Sequence, residues 1–249
     1  MSFTIPRPPA LRDATPRLRS DCLWSWDGAA AALNATTGHV GIFARATTLA
    51  SVLDGAGGTY TAPHSMPAWE IRDVDGAPAC GLRMAGSDRL HFDPAPQGDA
   101  LAGVIEFVET GARTGSSGST LFALCNDAVS GGRLWIDTSG STGGRYGINY
   151  SSGATTRTAR LTTGAPAPDD VVRLRWERAV NGAVQIWQSI NGAAETTASA
   201  ASLVVVPWAT GAVIRLNSRG DTENPAQGWY RRAKVVAGNP DLATLLAVR

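Results

Sequence analysis

The stretch that decides the fold runs from residue 171 to 197 and reads VVRLRWERAVNGAVQIWQSINGAAETT. Its first part alternates Val172, Leu174 and Trp176 with charged side chains, so an extended strand has one apolar and one charged face. Asn-Gly pairs at 181–182 and 191–192 are typical of type I′ hairpin turns, because both residues tolerate positive φ. The stretch therefore predicts a three-stranded antiparallel meander with Trp176 in the core.

Further strand candidates lie on both sides of this meander, separated by clusters of Gly, Ser, Asn and Asp. They are residues 40–45, 59–62, 69–72, 81–84, 90–92, 104–110, 120–125, 133–137, 145–150, 155–161, 183–190, 193–198, 212–216 and 229–236. Short strands that recur about every 8–12 residues are typical of sandwiches and barrels. We therefore expect an all-β protein with a two-sheet antiparallel sandwich over about residues 100–236.

The two ends of the chain have different patterns. Residues 1–21 are rich in proline and carry four arginines, which predicts an extended anchoring arm, with simple terminal disorder as the alternative. These arginines are Arg7, Arg12, Arg17 and Arg19. After Pro240, Leu242, Leu245 and Leu246 share one face of a short closing helix. We divide the chain into this arm, a loop-rich β segment at 22–100 that packs on the jelly roll, and the jelly roll with its closing helix at 101–249.

Bulk composition excludes several classes of function. The 249 residues carry a net charge of +1, and no apolar run approaches the length of a membrane span. We therefore expect neither nucleic-acid binding nor membrane insertion. Three widely spaced cysteines argue against a disulfide framework or a zinc site, and Cys125 ends an apolar run typical of core. The first residues lack the apolar core of a signal peptide, so we expect synthesis in a cytoplasm.

Three segments resemble the concanavalin A-like and laminin-G-like jelly rolls of tailed-phage virion proteins. IWQSINGAAETT at 186–197 looks like the hairpin of these domains, and GWYRRAKVVAGNPDLATLLAVR at 228–249 is similar to their last core strand and closing helix. The segment 46–84 resembles the region that precedes the jelly roll, although Gly86, Ser87 and Asp88 replace the Glu and Thr-Asn signature of many phage versions. The resemblance implies a jelly-roll sandwich and a place on a particle.

The residues do not form a catalytic constellation. Glu70 and Asp73 are three apart, as are Glu106 and Glu109, so each pair is expected on opposite faces of its strand. Asp75 shares the parity of Asp73 but belongs to an Asp-Gly turn. The three histidines are far apart and lack metal-ligand spacing. We therefore predict no enzymatic activity and no cofactor.

Two tryptophans are predicted on the polar side of their strands. Trp135 shares parity with Arg133 and Asp137, and Trp187 shares parity with Gln185. Either loops or a second layer cover these rings, or Trp135, Trp187 and Arg133 form a contact surface for a subunit or a sugar.

The function that these observations favour is that of a phage virion structural protein: a fibre, spike or decoration subunit on the head or tail. Its expected partners are other virion proteins, further copies of the chain, with a trimer by analogy, and host-surface polysaccharide. Such a protein is assembled in the bacterial cytoplasm and located in the virion. The alternatives are a carbohydrate-binding module with no virion role and a glycan hydrolase, which the opposite facing of the acid pairs disfavours.

Overall fold

A computed structural model describes residues 22–27, 49–50, 59–61, 68–84, 90–93, 95–110, 119–125, 131–139, 143–208, 211–217 and 228–238. Within these ranges the chain forms strands and no helix. The arm at 1–21, the strand expected at 40–45 and the closing helix expected after Pro240 lie outside the described residues.

The strands are short and follow one another closely along the chain, as the turn signals predict. In chain order they are β1 Cys22–Asp27, β2 Leu49–Ala50, β3 Thr59–Thr61, β4 Ala68–Val74, β5 Ala77–Met84, β6 Leu90–Asp93, β7 Leu101–Glu109, β8 Thr120–Cys125, β9 Arg133–Ser139, β10 Arg145–Ser151, β11 Thr156–Arg160, β12 Val171–Arg178, β13 Val184–Ile190, β14 Thr196–Ala200, β15 Val213–Leu216 and β16 Gly228–Ala237.

Two eight-stranded antiparallel sheets result. The first has the order β14-β13-β12-β7-β16-β5-β4, with β1 paired to β16, and the second has the order β11-β10-β9-β8-β15-β6-β3-β2. Neighbours such as β7 and β16 are far apart in sequence, because the chain crosses repeatedly between the sheets. The all-β, two-sheet jelly-roll sandwich is thus confirmed. Strands from 22–100 are hydrogen-bonded into both sheets rather than layered on them.

The core lies between the inner faces of the two sheets and is rich in aromatic rings. Trp176 is fully buried, as its alternation predicted, and its ring centroid lies 5.5 Å from that of Phe122 in the opposite sheet. Gly103 makes room for it: a Cβ at this position would lie 2.6 Å from the indole and 2.3 Å from the Lys234 carbonyl oxygen. The central strand β7 therefore needs glycine beneath this ring.

One of the two predicted type I′ Asn-Gly turns has the expected geometry, and the Asp75-Gly76 turn has the same one. Asp75 and Gly76 have φ values of 56° and 79°, and Asn191 and Gly192 have values of 50° and 76°, as type I′ turns require. Asn181 has no positive φ, whereas Gly182 has a φ of 74°. The type I′ prediction at 181–182 is therefore wrong.

The loop at 179–183 is instead a type I turn closed by a glycine bulge. The Gly182 N–H donates to the Ala179 carbonyl at 2.8 Å, and the Ala179 N–H donates to the Ala183 carbonyl at 2.9 Å. The register of β12 against β13 explains this longer loop. A two-residue turn would place inward Trp176 opposite outward Trp187, whereas the extra residue pairs Trp176 with inward Ile186.

Candidate functional site

The carboxylates considered as catalytic candidates in β4 have structural partners. Glu70 forms an ion pair with Arg72 on the same face, with an N–O distance of 3.0 Å. Asp73 has the opposite parity, and its Oδ1 accepts a hydrogen bond at 2.8 Å from the Gly76 N–H in the turn. The two acids therefore do not face a common substrate position.

Glu106 is the centre of a buried ion cluster on the outer face of the first sheet. Its oxygens lie 2.9 Å from Arg173 Nε, 2.6 Å from Arg231 Nη1 and 3.2 Å from Arg232 Nη2. Arg173 also pairs with Asp75. Burial alone would raise the pKa of Glu106, but attraction to Arg232, Arg231 and Arg173 outweighs burial and lowers it below 4.5. Glu106 is therefore charged and structural.

Glu109 points in the opposite direction, into the space between the sheets. The Tyr146 hydroxyl in the second sheet donates a hydrogen bond of 2.6 Å to Glu109 Oε2. The parity argument thus places Glu106 and Glu109 correctly on opposite faces of β7.

Trp135 lies on the outer face of the second sheet but is covered, with only 6% of its surface exposed. Its indole Nε1 donates to Asp137 Oδ2 at 3.0 Å, and Ala123 and Cys125 pack against it. The Arg133 guanidinium lies 5.9 Å from the ring centroid. Arg133 and Trp135 therefore do share a face, but Trp135 has little surface left for a ligand.

Trp187 lies on the outer face of the first sheet and is only partly buried. Across the β12–β13 pair it is opposite Arg175, and the guanidinium carbon of Arg175 lies 3.6 Å from the centroid of the indole. Arg175 Nη2 also forms an ion pair with Glu195, with an N–O distance of 3.0 Å. The guanidinium thus lies over one face of the indole in a cation–π contact and is itself held by the ion pair.

Polar groups surround the Trp187 ring. Gln185 Nε2 donates to Thr197 Oγ1 at 3.0 Å, and Thr197 Oγ1 donates to the Ile186 carbonyl at 3.1 Å. Glu177 faces Gln185 across the strand pair; burial raises the pKa of its carboxyl, although Arg175 acts in the opposite direction. We call Trp187, Arg175, Glu195, Gln185 and Thr197 the Trp187 platform. It combines a rigid aromatic surface with hydrogen-bonding side chains.

Sequence reasoning identified Trp187 and the parity of Gln185 but missed Arg175, Glu195 and Thr197. The signal was present for the first of these, since Arg175 has outward parity on the strand that pairs with β13. Glu195 lies in the turn region before β14, where no strand period applies. The anchoring arginines Arg7, Arg12, Arg17 and Arg19 lie outside the described residues.

The described residues contain neither a metal-binding cluster nor a membrane-spanning helix. No group of three or more His, Cys, Asp or Glu side chains in these ranges could hold a metal ion. In the same ranges, no helix has the length and apolar character needed to cross a membrane.

Comparisons with solved structures show similar folds in proteins of very different sequence. Tailspike protein 2 from the Escherichia coli O157:H7 bacteriophage CAB120 is 13% identical with a TM-score of 0.56, over 76% of this chain and 27% of that one. An arabinofuranosidase complexed with arabinofuranosyl-alpha-1,2-xylobiose is 14% identical with a TM-score of 0.53, over 79% and 48%. Domain 4 of an extracellular arabinanase from Geobacillus stearothermophilus, in complex with arabinotriose, is 14% identical with a TM-score of 0.50, over 77% and 87%.

These likenesses establish the class of fold. The chain spans about a quarter and about half of the length of the first two structures. No protein-family model matches the sequence, and no curated protein matches it either.

Proposed function

We propose that this chain is a non-catalytic, glycan-binding jelly-roll subunit of a tailed-phage or phage-derived particle. The observation that carries the proposal is the Trp187 platform, a partly exposed tryptophan on the outer face of the first sheet, fixed by Arg175. An aromatic ring with hydrogen-bonding groups beside it can bind a sugar, because sugars have apolar C–H faces that pack on the ring and polar hydroxyls at their edges.

Rigidity is what makes this ring a good binding surface. Arg175 and Glu195 hold the indole in one orientation before any ligand arrives. Because the side chain is already ordered, binding does not incur its rotamer entropy, a cost of about 0.5–1.5 kcal/mol for each immobilised side chain. The side-chain amide of Gln185 lies on the same face as the ring and donates to Thr197, which leaves its amide oxygen able to accept a hydrogen bond from a sugar hydroxyl.

A place on a phage particle is supported by two observations of different kind. The segments at 46–84, 186–197 and 228–249 resemble jelly rolls of tailed-phage virion proteins, and a phage tailspike contains a domain of the same fold. In this proposal the protein is a fibre, spike or decoration subunit. It contacts other virion proteins and further copies of itself, with a trimer as the state expected by analogy, and the 1–21 arm fastens it to the particle.

The test is binding to an array of bacterial surface polysaccharides. Trp187→Ala removes the platform, and we expect an affinity loss of at least about thirtyfold, the equivalent of the ~2 kcal/mol typical of a buried aromatic anchor. Trp187→Phe should retain part of the affinity. Ile71→Ala is the matched control, since Ile71 is 72% exposed on the distant strand β4 and its loss should leave binding unchanged.

Three results would contradict the proposal. Absence of binding to every polysaccharide would remove the glycan role, and unchanged binding by Trp187→Ala would move the site elsewhere. Release of shortened glycan during incubation, abolished by Glu70→Gln, would show an enzyme. Electron microscopy of intact particles tests the virion location separately.

A further inference from the structure

Strand β14 ends the first sheet and, among the described strands, is paired on one side only, by β13. The Ala179 N–H donates to the Ala183 carbonyl, and the Asn191 N–H donates to the Val171 carbonyl. In an antiparallel ladder hydrogen-bonded pairs alternate, so outward-facing Gln185, Trp187 and Ser189 bond to β12, and the residues between them bond to β14.

The same alternation determines which backbone groups of β14 face away from the sheet. Ala198 is paired with Ile186 and bonds to β13, so Thr197 and Ser199 direct their N–H and C=O groups to the free edge. Both residues are exposed, and no described strand pairs with this side of β14. Among the described residues, the outward N–H and C=O groups of this edge therefore have no partner strand.

The edge strands β4 and β11 carry charges, whereas β14, like the two-residue edge strand β2, does not. Edge strand β4 carries Glu70, Arg72 and Asp73, and edge strand β11 carries Arg157 and Arg160. Charged residues, prolines and bulges are the usual devices that prevent pairing between edges. The β14 sequence, TTASA, contains no charge and no proline, and its pairing with β13 has no bulge.

We propose that β14 pairs antiparallel with β14 of a second copy of this chain. A two-fold axis at Ala198 places Thr197 of each copy opposite Ser199 of the other, and each such pair exchanges two backbone hydrogen bonds. Within β14 itself the pairing is self-complementary and brings no like charges together, because TTASA carries none. By contrast, pairing β11 with itself would bring arginines together. A second copy is therefore the occupant that this edge fits.

The pairing has a consequence for ligand binding, which rests on the proposed function. A two-fold axis perpendicular to the sheet keeps both outer faces on the same side. Three strand spacings then separate the two Trp187 rings, about 14 Å across the strands. The dimer would display two Trp187 platforms on one continuous surface, so a polysaccharide with repeated units could engage both and gain avidity.

A five-residue edge alone makes a small interface, well below the ~1,000 Å² typical of stable complexes. We therefore expect the edge contact to form reversibly in solution. As the protein concentration rises, a species with twice the mass of the basic unit, whether monomer or oligomer, should appear. On a particle, subunits held side by side have a high local concentration, which favours the same contact.

The test is sedimentation velocity of the full chain over a range of concentrations. Ser199→Pro removes an outward N–H without affecting the bonds to β13, and Ser199→Lys adds a charge near the two-fold axis while keeping the backbone intact. Both variants should lose the doubled species. Thr162→Lys, in an exposed loop segment, is the matched control and should double like the unmodified chain.

The proposal is overturned if the unmodified chain shows no doubling at high concentration, or if doubling survives both Ser199 variants. Glycan binding is measured on the same proteins. Ser199→Lys should keep the affinity for a short oligosaccharide but lose the extra affinity for a long polysaccharide. Loss of all glycan binding by the unmodified chain, with doubling intact, would refute the proposed function and leave the edge contact standing.

Discussion

Replacement of Trp176 by alanine tests the core of the sandwich. The side chain is fully buried against Phe122 and Gly103, and Trp→Ala changes in such positions cost about 3–5 kcal/mol. Its indole Nε1 has no hydrogen-bond partner among the described residues. An unsatisfied buried donor costs about 1–3 kcal/mol, which the variant recovers, so we expect a loss near the lower limit, about 3 kcal/mol.

Urea unfolding followed by circular dichroism measures this loss directly. In a domain of this size, 3 kcal/mol corresponds to a fall in Tm of about 6–12 °C. Trp176→Phe should cost less than Trp176→Ala, because it keeps much of the volume and removes the unpaired N–H. Trp187→Ala is the matched control on the solvent side, with a loss of about 1 kcal/mol from the Arg175 contact. A loss below ~1 kcal/mol for Trp176→Ala would refute the inward assignment of this strand face.

Two further predictions concern the ion cluster and the arm. Because its pKa is lowered in the folded state, Glu106 binds a proton more readily when unfolded; its stabilisation is present above pH 4.5 and is lost as the pH falls through the lowered pKa. Glu106→Gln should therefore lower the free energy of unfolding by about 3 kcal/mol at pH 7. When the free energy of unfolding is measured as a function of pH, its fall below pH 4.5 should be shallower in this variant than in the unmodified chain. Deletion of residues 1–21, which leaves β1 intact, should preserve Tm but abolish co-sedimentation with particles; an unfolded truncation or retained attachment would contradict an anchoring role.

Local sequence determined most strands of the sandwich, because alternation of apolar and polar side chains depends only on neighbours in the chain. Strand β8, an apolar run, has the predicted bounds, and Trp176 in β12 is buried as its parity required. Strand β1 was not predicted, because its CLWSWD sequence alternates little. It is a strand because it pairs antiparallel with β16, which lies far away in the sequence.

Only the tertiary structure decided the type of turn at 181–182 and the solvent exposure of the two outward-facing tryptophans. The dipeptide Asn-Gly favours a type I′ turn, but the need to place Trp176 opposite Ile186 selected a loop one residue longer. Trp135 and Trp187 have the same outward parity, yet only Trp187 keeps appreciable exposure. Parity fixes the side of a sheet but not what covers that side, because the covering groups come from distant parts of the chain.

Arg178 is a second case in which parity gave the direction of a side chain but not its surroundings. Its parity is inward although its side chain is charged, and it is 2% exposed. Its guanidinium lies 4.5 Å from the ring centroid of Trp208 and donates to the Gly98 carbonyl, contacts that span thirty residues in one direction and eighty in the other. Burial lowers the pKa of Arg178, although Tyr150 and Asp99 act against this. The sequence of the strand determined which way Arg178 points, and only the fold, by bringing a ring and a carbonyl to that point, made the buried charge tolerable.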